Sequence, residues 1–105
     1  MSDYCVVFVT CANGREAKKI AGELVSSKTA ACVNILPGAR SVYRWDGRVR
    51  ESRENVLMIK SRRRLFSRIS RIVRKNHSYS CPEIVSLPIT EGFPPYLDWI
   101  KKNLN

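Results

Sequence analysis

The sequence holds one histidine, His77, with Cys81 four residues beyond it and the carboxylate of Glu83 two further on. A neutral imidazole is the commonest metal-binding side chain. Thiolate and imidazole together make a soft donor set that suits copper or zinc, with a carboxylate to fill it out. A closed site takes three or four donors, so water or a second chain would complete this one. The competing reading is a loop histidine that caps the end of a helix. Nothing else in the chain reads as reaction chemistry. No nucleophile stands beside a base at a recognisable spacing, and there is neither a P-loop nor a glycine-rich phosphate cradle. The chain does not read as an enzyme.

The other cysteines, Cys5, Cys11 and Cys32, form no CxxC pair and no zinc-finger spacing with each other or with Cys81. They read as small core residues, Cys32 in particular because it sits in an apolar run. Met1-Ser2-Asp3 is short and acidic, and no segment approaches the roughly 18 apolar residues of a membrane span. The expectation is a cytosolic protein with reduced thiols and no membrane contact.

These residues need a frame, and 105 residues with 44% hydrophobic content allow one small domain. Tyr4–Thr10 is a β-rich run, punctuated by Ala12-Asn13-Gly14. From Arg15 the period changes, with Ala17, Ile20, Ala21, Leu24 and Val25 on one helical stripe that ends at Lys28-Thr29. Ala30–Leu36 is apolar almost throughout and reads as a strand buried on both faces, broken by Pro37-Gly38 as a bulge or a bend. Strand resumes at Ser41–Trp45 and returns from Arg48 to Lys60. Leu65, Phe66, Ile69, Ile72 and Val73 mark a second helix, Glu83–Pro88 a last strand, and Pro94-Pro95 opens a short C-terminal helix. The order β-α-β-β-α-β plus a helix predicts an α+β, ferredoxin-like domain.

That arrangement puts both helices on one face of the sheet. Yet Val56-Leu57-Met58-Ile59 is apolar on both sides, so another subunit is expected to cover the open face. The stretch VYRWDGRVR, Val42–Arg50, sharpens this expectation. Asp46-Gly47 is a strong two-residue hairpin signal. Counting back from it pairs Trp45 with Arg48 and Tyr43 with Arg50, all four on one face. A continuous Arg48–Lys60 strand would run ~43 Å, against ~33 Å for a compact domain of this size. The hairpin therefore overhangs, and its unpaired edges call for a partner.

Charge points elsewhere. Lys and Arg number 19 against 9 Asp and Glu, a formal charge of +10, which favours polyanionic partners. Arg64, Arg68, Arg71 and Lys75 recur at helical spacing opposite the apolar stripe of the second helix. They form a basic ridge, either a solvated face or a contact for an acidic partner or a nucleic-acid backbone. An RNA-recognition module shares the element order, but Asn55–Lys60 lacks the aromatics that stack bases on its third strand. Nucleic acid is therefore disfavoured as a partner, and a nucleic-acid-binding module that uses its basic surface stays as the alternative reading.

The chain resembles the CutA-type divalent-cation tolerance proteins from about Tyr4 to Lys101. The resemblance is carried by Ala31-Cys32-Val33-Asn34 with Pro37-Gly38, by Ser41-Val42-Tyr43, Trp45 and Gly47, and by Glu54 with Leu57–Lys60. It continues through His77, Tyr79, Pro82-Glu83-Ile84 and Leu87-Pro88, and closes with Gly92 and Tyr96–Trp99. It implies one CutA-like domain over 1–105, assembled as a PII-like homotrimer that binds copper or other divalent cations. Cys32, Glu54, Lys60 and Tyr79 are then expected to line an intersubunit cleft where a small molecule can sit. Tyr43, Trp45, Arg48 and Trp99 are expected at the interface. The chain departs from the family where a loop that usually reads His-Pro-Tyr-Glu or His-Pro-Tyr-Gln becomes His77-Ser78-Tyr79-Ser80-Cys81.

Overall fold

The computed structural model describes residues 3–105; Met1 and Ser2, on which the reading of the amino terminus partly rests, lie outside them. Strand β1 is Tyr4–Cys11, helix α1 Gly14–Ser26, β2 Cys32–Trp45, β3 Arg48–Arg62, α2 Phe66–Asn76, β4 Ile84–Pro88 and α3 Pro94–Lys102. A 3-10 turn, Arg63–Leu65, leads into α2. The four strands form one antiparallel sheet in the order β2-β3-β1-β4. This is the expected ferredoxin-like arrangement.

Alternation along β1 sets the two faces. Cys5, Val7, Val9 and Cys11 are fully buried, whereas the residues between them are only half-buried. The buried set packs with Leu57 and Ile59 of β3 beneath Ala17, Ile20 and Leu24 of α1 and Ile69 and Val73 of α2. Asn13 caps α1 by accepting a 2.9 Å hydrogen bond from the Glu16 backbone N–H. At its other end Lys28 adopts φ 59, and the N–H groups of Ser27, Lys28 and Thr29 return to the carbonyls of Glu23, Val25 and Leu24. The opposite face of the sheet has no such cover. Leu36, Val85 and Leu87 are exposed there, beside the half-buried Val6, Phe8, Val56 and Met58.

Two expectations about β2 change. It runs unbroken from Cys32 to Trp45, because Pro37-Gly38 forms a bulge between the Leu36–Val56 and Ala39–Glu54 pairs, with Gly38 at φ 78. Nor is its first half buried on both faces. It is an edge strand, so Ile35 and Leu36 remain exposed in the protomer.

The hairpin has the register read from the sequence, with Trp45 opposite Arg48 and Tyr43 opposite Arg50. Asp46 at φ 53 and Gly47 at φ 72 give the turn the twist that matches its strands. The polar run Glu51–Asn55 does not interrupt β3, and the molecule is accordingly 44 Å long but only 25 and 23 Å across. Val42, Trp45 and Val49 stand exposed along the arm.

Candidate metal centre and the adjoining groove

His77 is the residue just after α2, and its extended backbone turns the ring inward. The side chain is fully buried. Nε2 donates to the Thr10 carbonyl at 2.7 Å, and Nδ1 accepts from the Tyr79 N–H at 3.0 Å. The ring therefore bonds to β1 rather than capping α2, and it carries its proton on Nε2. Metal-binding histidines commonly donate from one ring nitrogen to a carbonyl in this way; here the other nitrogen holds the Tyr79 N–H, which a cation at Nδ1 would displace.

Glu16 approaches the same nitrogen from the first turn of α1. Its Oε1 accepts from the Ser78 N–H at 2.9 Å. Its Oε2 lies 3.6 Å from His77 Nδ1, is buried, and has no hydrogen-bond partner. Cys11, at the end of β1, completes the group: its sulfur, a Glu16 oxygen and a His77 nitrogen lie within 4.8 Å of one another. Burial, then Glu16, then Glu54 push the Cys11 thiol up to about 12, so its surroundings are locally acidic although the chain is strongly basic. A buried carboxylate oxygen without a donor beside an oriented imidazole and a thiol fits a soft divalent cation.

The triad proposed from the sequence is thus not the one the fold assembles. His77 belongs to the cluster, but Cys81 is exposed, and both Cys81 and Glu83 line the adjoining groove. From Ser78 to Cys81 the chain is exposed, whereas the His77 side chain is buried. Cys11 and Glu16 were missed because each carries a simpler explanation, a core cysteine and a helix-capping glutamate. Asn13-x-x-Glu16 is a capping-box pattern, and the one available clue was that its carboxylate had a second place to reach.

The groove, about 650 Å³, lies between the base of the arm and the loop after His77. Tyr43, Trp45, Arg50, Glu54, Tyr79 and Cys81 are among its lining residues. Tyr79 donates its hydroxyl to Glu54 Oε2 at 2.8 Å and stacks at a tilt on His77, 4.8 Å between rings. Burial and then the Glu54 hydrogen bond raise the Tyr79 phenol to about 12. The lock it makes is thus complete below the ordinary phenol range, near pH 10, and is lost as pH rises through about 12. Denaturant midpoints followed across that window should fall more for the native chain than for Tyr79→Phe.

Of the four residues expected in one cleft, the protomer unites only two. Glu54 and Tyr79 meet in the groove, whereas Cys32 and Lys60 pair across β2 and β3 nearer the opposite end. There Lys60 Nζ donates to Asn34 Oδ1, with the half-buried Cys32 sulfur 4.0 Å from the same oxygen. Glu54 and Lys60 are six residues apart on one strand, about 20 Å. Among the residues expected at an interface, Tyr43, Trp45, Arg48 and Trp99 are all exposed, and Trp99 stacks on Tyr96 at 5.7 Å.

A family model described as CutA1 divalent ion tolerance protein matches residues 5–103. The chain belongs to the CutA family. It is 45% identical over 98 residues to the divalent-cation tolerance protein CutA of Thermus thermophilus, covering 93% of this chain and 95% of that one. It is 46% identical over 98 residues to the chloroplastic protein CutA of Arabidopsis thaliana. It covers 93% of this chain there but spans only about half, 54%, of the plant protein. Among solved structures, CutA1 of Thermus thermophilus superposes with a TM-score of 0.95 at 43% identity, over 97% of this chain and 99% of that one. CutA1 of Oryza sativa gives 0.94 at 43% identity, over 97% and 94%. A CutA fold therefore frames the groove and the His77 cluster.

Proposed function

We propose that this CutA-family chain is a homotrimeric, non-enzymatic cation-binding protein that takes up copper or zinc at Cys11, Glu16 and His77. The observation that carries the reading is the buried Glu16 Oε2, left without a donor 3.6 Å from His77 Nδ1. An unsatisfied buried carboxylate oxygen is costly unless something positive can meet it. A bound cation would supply Lewis acidity and charge at that point; His77 would offer Nδ1 in place of its hydrogen bond from the Tyr79 N–H, Glu16 its second oxygen and Cys11 its sulfur. The role in metal-ion tolerance rests on the cation site and the family, and the placing in a reducing compartment such as the cytoplasm rests on the four free cysteines.

The trimer rests on the uncovered apolar sheet face and the protruding arm. In such an assembly the groove becomes an intersubunit cleft, and a small molecule bound there would give the protein a PII-like signalling role.

Isothermal titration and native mass spectrometry with Cu(II) and Zn(II) test the cation site. One ion per chain is expected, weakened at least about tenfold by Glu16→Gln and unchanged by Cys81→Ser or Glu83→Gln. The opposite pattern would move the site to the groove, and no uptake at all would end the cation reading. Because the Cys11 thiol is held near 12, its ligation releases a proton. Affinity should accordingly rise with pH by about tenfold per unit near neutrality.

A further inference from the structure

The excess positive charge is segregated. Helices α1 and α2 carry seven cations, Arg15, Lys18 and Lys19 with Arg68, Arg71, Arg74 and Lys75, against two carboxylates, Glu16 and Glu23. Both carboxylates are already engaged. Glu16 goes to Ser78 and His77, and Glu23 to Lys75 at 3.1 Å and to Asn76 at 3.0 Å. The other six cations are exposed. Among the described residues none of the six has a carboxylate within ion-pair distance. Isolated charges of one sign, crowded on two packed helices, repel one another, and the fold does nothing to relieve this.

The outer side of this layer also lacks what other polyanion partners use. Val25 is its one exposed large apolar residue, so nothing can wedge into a bilayer. No aromatic side chain is exposed on either helix, so there is no platform for unstacked bases. Guanidinium groups and the hydroxyls of Ser67 and Ser70 remain, groups that contact phosphate oxygens. Along α2, Arg68 to Lys75 spans about 11 Å, a length over which a duplex presents some six phosphates.

We propose that the α1–α2 face docks the phosphate backbone of double-stranded nucleic acid, without sequence preference. This goes beyond cation binding and does not depend on it. The face lies across the sheet from the apolar side assigned to subunit contact, so assembly leaves it open and multiplies it.

The test is fluorescence anisotropy of the whole protein with a labelled mixed-sequence DNA duplex at several salt concentrations. The expected result is binding whose logarithm falls linearly with log salt, at a slope of about −4 to −5 for five phosphate contacts. The triple variant Arg68→Glu, Arg71→Glu, Arg74→Glu should bind at least tenfold more weakly, with the slope reduced by about 3. These side chains are exposed, and circular dichroism checks that the variant folds. A second variant, Lys28→Glu, Lys101→Glu, Lys102→Glu, makes the same charge change off the face and should lose far less. Equal losses in the two variants would overturn the proposal, as would no binding at low salt. So would tighter binding to phosphatidylserine vesicles than to the duplex.

Discussion

Ile59→Ala should cost the fold about 2–5 kcal/mol, seen as a fall of roughly 1–3 M in the urea midpoint. Ile59 is fully buried in β3, between Val7 of β1 and Val33 of β2 in register. It packs in the cluster that Ile20, Leu24, Ile69 and Val73 close from above. Removing three carbons there leaves a cavity that neither the sheet nor two crossing helices can collapse without losing other contacts. A domain of this size has about 5–15 kcal/mol in all, so the variant sits near the limit of folding. Val25→Ala on α1 is the contrast. Val25 is 42% exposed, alanine is the better helix former, and the change should stay within about 0.5 kcal/mol. A similar cost at both positions would mean that the core is not where the burial pattern puts it.

Periodicity and one turn made most of this fold readable. The arm's register follows from Asp46-Gly47, because a two-residue turn leaves no freedom in which residues face each other. The helices follow from stripes that contain all their buried residues, although Val25, placed on the α1 stripe by its spacing, is exposed beyond the edge of the core. What failed shares a cause: a linear sequence does not say what lies across the chain. Ile35 and Leu36 look like residues of a strand buried on both faces, but in the protomer their apolarity faces open space. Their composition suits the subunit contact proposed above rather than a core. The fold regroups the donors for the same reason. His77 is buried while Cys81, four residues on, is exposed, and Glu16, more than sixty residues away by number, closes on His77 because α1 packs against α2. Its spacing carried a capping signal, and the second use of the same carboxylate appears only when the helices pack.

The arm gives the largest expected effect on assembly. Removing Arg44–Arg50 and closing the shortened hairpin with an Asp-Gly turn should convert trimers to monomers in native mass spectrometry. The deletion takes away the pairs Tyr43–Arg50, Arg44–Val49 and Trp45–Arg48, none of which touches the core cluster. Far-ultraviolet dichroism should therefore be nearly unchanged, which separates a failure of assembly from a failure of folding. Solubility should fall. Without the arm, nothing holds a neighbour over Leu36, Val85 and Leu87, and the free edges of β2 and β4 become templates for unspecific pairing. If the truncated chain remains a trimer, the arm is not the pairing element. The sheet face alone must then supply the contact, and Leu87→Lys, at a residue exposed on that face, becomes the variant that separates the subunits.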